Sequence, residues 1–404
     1  MKMTKHFVLP SVFTIALAAV AFSTGCDSNP KKGGGGGAGG AGGSVVPAGS
    51  AGAGGAGGAA LAAQIARGEY IVDHVAACPD CHTPQGPTGP IDGMYLAGNP
   101  DFIVAAADQK LGTRNLTNDA TGLKNRTDAE IKNMFQNGLR PTATGMEPLN
   151  PVMPYYIFHN MTDADADAVV AYLRTVPAVV NDIPRRGTMF DVPAAAPPLP
   201  DTAIPTPLTT DLNYDSAVRG RYLATKAGVC VECHTKHLDA ATMPATVLDE
   251  TKLFAGGEDF SSLFASTLMI HPVSKNLTSD LTTGLGMWTA EDIVTVLHQG
   301  KAKDGSGICP PMPVGPMGAF GGLTDADATD IANYIKSLPA ISNMIVDMCY
   351  TTPPTTGAGG AGGAGGSGAG GMGGGAGGTT GAGGGGGSTG GGGAAGSAGG
   401  AGGA

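Results

Sequence analysis

Apolar residues recur at helical spacing in two segments that resemble each other, residues 162–178 and 324–340. In each segment a threonine stands three positions before an aspartate, which favours a capped helix start, and a proline closes the pattern. Each segment therefore predicts one amphipathic helix with a single buried stripe. The stripe residues are Val169, Tyr172, Leu173 and Val176 in the first segment and Ile331, Tyr334, Ile335 and Leu338 in the second.

Two further helix starts precede these segments. Thr127 with Glu130, and Thr289 with Asp292, have the spacing of a capping box. Helices are also expected from about residue 61 and about residue 216, each leading into a cysteine motif. The predicted fold class is all-α, in two copies.

The copies show directly as a duplication along the chain. Residues 67–84 recur at 219–236, displaced by 152 positions, with the cysteines and the histidine of each stretch in register. The string NLTNDATGL at 115–123 corresponds in the same way to NLTSDLTTGL at 276–285. The chain therefore repeats one structural unit.

The duplication sets the expected domain limits. The two tandem domains are predicted at 61–184 and 216–350, and residues 185–215 between them are rich in proline, as expected for an extended linker. Residues 26–60 and 351–404 consist mostly of glycine and small residues. They lack the apolar bulk that offsets chain entropy, so they are predicted to be a flexible tether and a disordered tail.

Residues 1–25 have the pattern of an export signal. Lys2 and Lys5 precede an apolar run that ends at Gly25 and Cys26. A glycine before a cysteine resembles a bacterial lipoprotein cleavage site, so we expect Cys26 to carry a lipid that anchors the protein to a bacterial membrane. Ordinary cleavage nearby and an uncleaved anchor are the alternatives, and all three place the remainder in the periplasm or cell envelope.

The charge balance narrows the class of partner. The chain has 23 basic and 33 acidic residues, for a formal net charge of −10. This sign opposes binding to a phosphate backbone, so nucleic acid is not expected as a partner. It favours association with a basic protein surface.

Two Cys-x-x-Cys-His motifs carry the candidate chemistry. Two thiols three positions apart lie on one helical turn and can each form a thioether with a haem vinyl group, while the histidine presents a ring nitrogen to the iron. A thioredoxin-like pair or half of a zinc site also uses Cys-x-x-Cys, but neither requires the histidine. The motifs predict two covalent c-type haems. Their residues are Cys78, Cys81 and His82 in the first copy and Cys230, Cys233 and His234 in the second.

A sixth iron ligand is expected downstream of each motif. Met153, flanked by prolines at 151 and 154, is the candidate in the first copy, and Met146 and Met161 are weaker alternatives. In the second copy Met312 has the matching prolines, whereas Met317 is the alternative, because spacing alone does not decide between them. A thioether ligand suits iron and raises its reduction potential.

Two cysteines remain outside the motifs and the signal. Cys309 and Cys349 can form a disulfide, which an oxidising compartment permits. Two separate buried thiols are the alternative.

Taken with the NLT strings, the Met-Pro loops and the TDAD helices, the Cys-x-x-Cys-His motifs resemble the mono- and dihaem cytochromes c. That family includes cytochrome subunits of periplasmic dehydrogenases for alcohols and sugar acids. The resemblance covers roughly residues 61–178 and 216–340. It implies the cytochrome c fold with His/Met ligation of each iron.

The expected function is electron transfer and not catalysis, because protein ligands on both sides of each iron leave no position for a substrate. The protein would pass single electrons between a redox donor, such as a dehydrogenase, and a respiratory acceptor. A dihaem peroxidase is the enzymatic alternative, and it requires one iron with a replaceable ligand. A haem-based sensor or an assembly subunit of a larger dehydrogenase is a third hypothesis.

Overall fold

The structure is a computed structural model in which residues 54–86, 89–238, 247–260 and 272–346 are described. Among these residues no helix is long and apolar enough to cross a membrane. The predicted signal with Cys26, most of the tether, Cys349 and the predicted tail lie outside the described residues.

The chain divides into two units, Met1–Ala62 and Ala63–Ala404. The first unit contributes the start of one helix, whose side chains are exposed from residue 57 to residue 62. The second unit contains both copies of the repeat, which we call the first half (63–184) and the second half (216–346).

The first half is mainly helical, and its helices follow the order that the sequence predicts. Helix α1 begins earlier than expected, at Gly54, because alanines continue the helical pattern upstream of 61. The helical elements are α1 (Gly54–Tyr70), a π-helical turn (Ile71–Val75), α2 (Cys78–His82), α3 (Asp128–Asn137), α4 (Tyr155–Phe158) and α5 (Asp163–Leu173).

The second half repeats this order. A helix again runs into a π-helical turn and then into a one-turn helix at the cysteine motif. The elements are α6 (Tyr214–Tyr222), a π-helical turn (Leu223–Ala227), α7 (Cys230–Cys233), a 3-10 turn (Glu250–Lys252), α8 (Ala290–Gln299), a 3-10 turn (Ala319–Gly322) and α9 (Asp325–Ser337).

The all-α prediction is incomplete, because the first half also contains three small antiparallel hairpins. Each strand has only two to four residues, so period-two alternation does not have room to develop. The pairs are β1 (Gln85–Gly86) with β2 (Gly89–Pro90), β3 (Ile103–Ala106) with β4 (Gln109–Leu111), and β5 (Leu139–Thr142) with β6 (Gly145–Pro148). In β5 and β6, Leu139 pairs with Pro148 and Thr142 with Gly145.

The predicted capping boxes are confirmed. The backbone N of Glu130 donates to the Thr127 hydroxyl at 3.2 Å, and the Thr127 backbone N donates to the Glu130 carboxylate at 2.7 Å. Thr289 and Asp292 form the same pair of bonds at the start of α8. Because two orphan amide groups are satisfied at once, each box fixes where its helix begins.

A glycine in each half permits the first helix to cross the last. A Cβ atom on Gly68 of α1 would lie 1.9 Å from the Ala168 carbonyl oxygen of α5. A Cβ atom on Gly220 of α6 would lie 1.8 Å from the Asp330 carbonyl oxygen of α9. The two backbones therefore touch, which no larger residue would allow at either position.

The two halves pack against each other through exchanged elements. Helix α4 of the first half lies on the π-helical turn Leu223–Ala227 of the second, and the 3-10 turn Ala319–Gly322 of the second half lies on the turn Ile71–Val75 of the first. In each half, the short helical segment just before the last helix therefore packs against the other half. It contacts the π-helical turn that leads into the other half's cysteine motif.

The connecting residues 185–215 form no helix before Tyr214, and they pack onto both halves. Leu199 and Ile204 are buried, and the Leu199 backbone N donates to the Tyr156 carbonyl oxygen at 3.0 Å. On the other side the Tyr334 hydroxyl donates to the Pro205 carbonyl oxygen at 3.0 Å. This segment is therefore part of the folded unit and not only a spacer.

Candidate functional site

The first cysteine motif forms the single turn of helix α2. Ala77 before it adopts a left-handed conformation with φ 52°, and Pro79 occupies the first turn, where its missing N–H costs no hydrogen bond. Cys78 and Cys81 are free thiols. Burial raises the pKa of Cys78 to about 12, so this thiol is held neutral in an apolar setting and is not poised as an exposed nucleophile.

The histidine of the motif has one nitrogen fixed and the other left for a ligand. His82 is 8% exposed, and its Nδ1 lies 2.7 Å from the carbonyl oxygen of Arg114. Because a carbonyl only accepts, Nδ1 carries the proton and Nε2 keeps its lone pair. Burial lowers the pKa of His82, which favours the same neutral ring. A hydrogen bond of this kind, made by the ring nitrogen that does not bind the metal, orients histidines that ligate metals.

The second motif reproduces this arrangement. Cys230 and Cys233 are free thiols on the one-turn helix α7, and His234, 7% exposed, follows directly. Its Nδ1 lies 2.8 Å from the carbonyl oxygen of Lys275. Burial lowers the pKa of His234 as well. Both predicted histidine ligands therefore have the same tautomer, and each is anchored by a backbone carbonyl oxygen of its own half.

Each anchoring carbonyl is followed in the chain by a buried, hydrogen-bonded asparagine that the sequence did not assign to the site. Asn115 follows Arg114, donates to the Val179 carbonyl oxygen at 2.8 Å, and accepts from the Thr117 backbone N at 2.9 Å. Asn276 makes the equivalent bonds to Ile341 and Thr278 in the second half, at 2.8 and 3.0 Å. The duplicated NLT string could have pointed to these residues, since its asparagine is present in both copies.

Met153 and Met312, the preferred ligands, lie in backbone turns with the same hydrogen-bond pattern. The Met153 backbone N donates to Asn150 and the Met153 carbonyl accepts from Tyr155, at 3.1 and 2.7 Å. Met312 does the same with Cys309 and Val314, at 3.3 and 2.9 Å. The side chains of Met153 and Met312 are partly buried against the core.

The alternative methionines lie in different environments. Met317 is 100% exposed and Met146 is 53% exposed, whereas Met161 is buried in the core. The turn and the burial thus make Met312 the counterpart of Met153, although Met312 stands three residues further from the start of the last helix of its half. The iron-ligand roles themselves remain predictions.

The surroundings fit a large apolar cofactor that carries acidic groups. Cys230 lines a cavity whose other walls include Leu223, Leu297 and Phe320. In the first half the buried Nε of Arg140 lacks a hydrogen-bond partner among the described residues. Burial lowers the pKa of the nearby Arg114, and the charge of Arg140 lowers it further. Arg140 also pairs with Glu147 through its other end, so its Nε is the donor left for an anionic group such as a haem propionate.

Of the predicted disulfide between Cys309 and Cys349, only Cys309 lies among the described residues. Cys309 is disulfide-bonded. Its predicted partner, Cys349, lies outside the described residues, so this pairing stays a prediction. No cluster of three or more histidine, cysteine or acidic side chains that would hold a free metal ion occurs in the part of the chain that the structure describes.

Comparison with known proteins gives a consistent result. Residues 65–177 match the family model for cytochrome c. The chain is 29% identical over 291 residues to the cytochrome c subunit of the quinone alcohol dehydrogenase of Gluconacetobacter polyoxogenes, covering 69% of this chain and 57% of that protein. It is 26% identical over 300 residues to the fructose dehydrogenase cytochrome subunit of Gluconobacter japonicus, covering 68% and 53%.

A third relative is the gluconate 2-dehydrogenase cytochrome c subunit of Pantoea cypripedii, which is 26% identical over 309 residues, covering 69% of this chain and 60% of that protein. The matched region therefore spans little more than half the length of each of these relatives.

Proposed function

We propose, from the cytochrome c domain that residues 65–177 form, that this protein carries two covalent haems and passes single electrons between a dehydrogenase and a respiratory acceptor. A cytochrome c domain implies covalent haem c, and the matched relatives are cytochrome subunits of dehydrogenases. An electron-transfer role follows from these two facts. The second haem, the partners and the membrane anchor are the proposed part.

The main support for a second haem is that the hydrogen bond anchoring the motif histidine is repeated in the second half. His234 bonds to the Lys275 carbonyl as His82 bonds to the Arg114 carbonyl, and each follows a pair of free thiols. Haem iron supplies one-electron chemistry at a potential that the axial ligands and the surroundings set. In this chain the cysteines would hold each haem, and the histidines would provide one axial nitrogen.

Met153 and Met312 are the proposed ligands on the opposite faces. Their common turn and partial burial support this assignment, and the full exposure of Met317 speaks against it as a ligand. With both axial positions taken, neither iron would bind a substrate. This favours a carrier over the peroxidase alternative.

The relatives and the charge support the proposed partners. The named relatives belong to dehydrogenases, which would supply electrons, and the net charge of −10 would steer the chain toward a basic protein surface. A lipid on Cys26 would hold the carrier at a bacterial membrane, where a respiratory acceptor resides.

The decisive test combines haem counting with carbon monoxide binding on the full chain, matured in a host that attaches haem c. We expect two haems per chain and no spectral change with carbon monoxide. M312A should create one haem that binds the gas, whereas M317A, which removes an exposed methionine of the same size, should not.

One haem per chain would contradict the dihaem proposal. Carbon monoxide binding by the unmodified protein, together with peroxide turnover, would favour the peroxidase. Gas binding in M317A but not in M312A would exchange the two ligand assignments.

A further inference from the structure

The segments that lead into the two cysteine motifs touch across the contact between the halves. The π-helical turn Ile71–Val75 of the first half packs against the turn Leu223–Ala227 of the second. Near the same place, a Cβ atom on Gly228 of the second half would lie 3.0 Å from the Val75 carbonyl oxygen of the first. The segments that would hold the two haems are therefore neighbours.

One aromatic residue of the first half extends to the second motif. Tyr156 is 1% exposed, and its hydroxyl lies 3.4 Å from Nε2 of His237. His237 in turn lies 3.2 Å from the carboxylate of Glu232, which stands between the two cysteines of the second motif. Burial raises the pKa of Tyr156, and the charges of Glu232 and Cys233 raise it further. The Tyr156 ring is therefore adjacent to the second haem-attachment segment.

The other end of this residue belongs to the first site. Tyr155 donates its backbone N to the Met153 carbonyl oxygen at 2.7 Å, and Tyr156 is the next residue in helix α4. Only two residues, Pro154 and Tyr155, thus separate the proposed ligand of the first iron from the ring packed at the second motif. The Leu199 backbone N, which donates to the Tyr156 carbonyl oxygen at 3.0 Å, holds this helix in place.

The second half offers no equivalent ring. The Met161 backbone N donates to the Phe158 carbonyl oxygen, and the Leu323 backbone N donates to the Phe320 carbonyl oxygen in the same way. When the two halves are aligned on these bonds, Gly318 occupies the position of Tyr156. On that side His74 reaches the Ala319 carbonyl oxygen at 3.0 Å instead. Among the described residues, Tyr156 therefore has no ring opposite it at the equivalent position of the second half.

We propose that Tyr156 is a positioning residue that couples the two haem sites, so that an electron entering at one haem leaves from the other. This inference rests on the proposed dihaem function and deepens it: the chain would be a relay, not a pair of independent carriers. Electron tunnelling weakens steeply when a packed, covalently continuous medium is replaced by a gap. A dense aromatic filling at this point would therefore determine the rate between the haems.

The test follows electron redistribution inside the full haem-loaded chain after a flash-generated reductant delivers one electron. In the unmodified protein we expect an absorbance phase whose rate does not depend on protein concentration. Y156L should slow this phase several-fold while the two reduction potentials stay unchanged. Y156F keeps the ring and should retain the rate.

The matched control is Y155L, which removes an equally buried tyrosine whose ring lies 5.9 Å from that of Tyr156. The Tyr155 hydroxyl accepts from the Ala196 backbone N and so points toward the connecting segment. Y155L should retain the internal rate. If Y156L fails to mature, Y156M provides a second ring-free variant with a flexible side chain that fills the space.

The outcomes separate this inference from the function on which it rests. A protein with two gas-insensitive haems but no concentration-independent phase overturns the relay while leaving the carrier intact. An unchanged rate in Y156L or Y156M, with unchanged potentials, overturns the role of Tyr156. A single haem per chain defeats the proposed function itself.

Discussion

The Tyr70 hydroxyl of the first half donates to the Asp327 carboxylate of the second half at 2.6 Å, and the Tyr222 hydroxyl of the second half donates to Asp165 of the first at 2.7 Å. Each hydroxyl also accepts from the backbone N of the threonine that caps the same helix, Thr324 at 3.1 Å and Thr162 at 3.3 Å. The contact between the halves is therefore reciprocal.

Removing one of these hydroxyls should weaken the contact. Y70F loses a hydrogen bond to a charged group, so we expect the free energy of unfolding to fall by about 1 to 2 kcal/mol in urea titrations. Y214F is the matched control, because the Tyr214 hydroxyl makes no hydrogen bond among the described residues. No loss in Y70F, or an equal loss in Y214F, would show that the Tyr70 hydroxyl bond does not stabilise the contact.

Acid should loosen the same contact through Asp165. Burial would raise the pKa of this carboxyl, but hydrogen bonds from Arg67 and Tyr222 outweigh it, so the pKa lies below its usual value. A depressed carboxyl pKa contributes stability above the unfolded value of about 3.9, and this stability is lost as the pH falls through the folded value.

The corresponding variant is D165N, whose unfolding free energy should vary less below about pH 4 than that of the unmodified protein. D325N removes a fully exposed carboxylate near the start of α9 and serves as the comparison. If D165N and the unmodified protein show the same slope with pH, the Arg67 and Tyr222 contacts do not set the acid response.

The helix crossings should tolerate no side chain. In G68A and G220A the new methyl group would meet a carbonyl oxygen at under 2 Å, so the helices must separate at a cost of about 3 kcal/mol. Thermal unfolding and the yield of haem-loaded protein measure this loss. G307A, at a glycine with no atom within 4 Å of the added carbon, should behave as the unmodified protein.

The buried asparagine behind the first histidine should matter for both stability and the haem. N115A removes the shorter of two bonds to the Val179 carbonyl and leaves the Thr117 amide without its partner, which we expect to cost about 3 kcal/mol. Because the Arg114 carbonyl would then shift, the reduction potential of one haem should also change.

The control for this variant is N125A. Asn125 stands in a second Asn-x-Thr triplet of the same half, but its side chain is exposed. Potentiometric titration should show the N125A potentials unchanged. A stable N115A protein with unchanged potentials would mean that the histidine anchor does not depend on Asn115.

Local spacing explains why much of this molecule could be predicted. A Cys-x-x-Cys-His string places two thiols and an imidazole on one turn wherever it occurs, and Thr127 with Glu130 caps a helix through atoms three residues apart. The chain alone therefore specified the capped helix starts and the duplication, and it predicted the attachment residues. Short hairpins escaped prediction because two to four residues per strand carry almost no periodicity.

The rest depends on contacts between residues far apart in the chain. Exposure separates Met312 from Met317, packing turns residues 185–215 into part of the folded unit, and the position of Tyr156 at the second motif arises only when α4 meets the turn Leu223–Ala227. The sequence by itself determined that two cysteine motifs would be built alike. The tertiary structure decided that the segments leading into them touch, because only packing between the halves brings Gly228 against Val75.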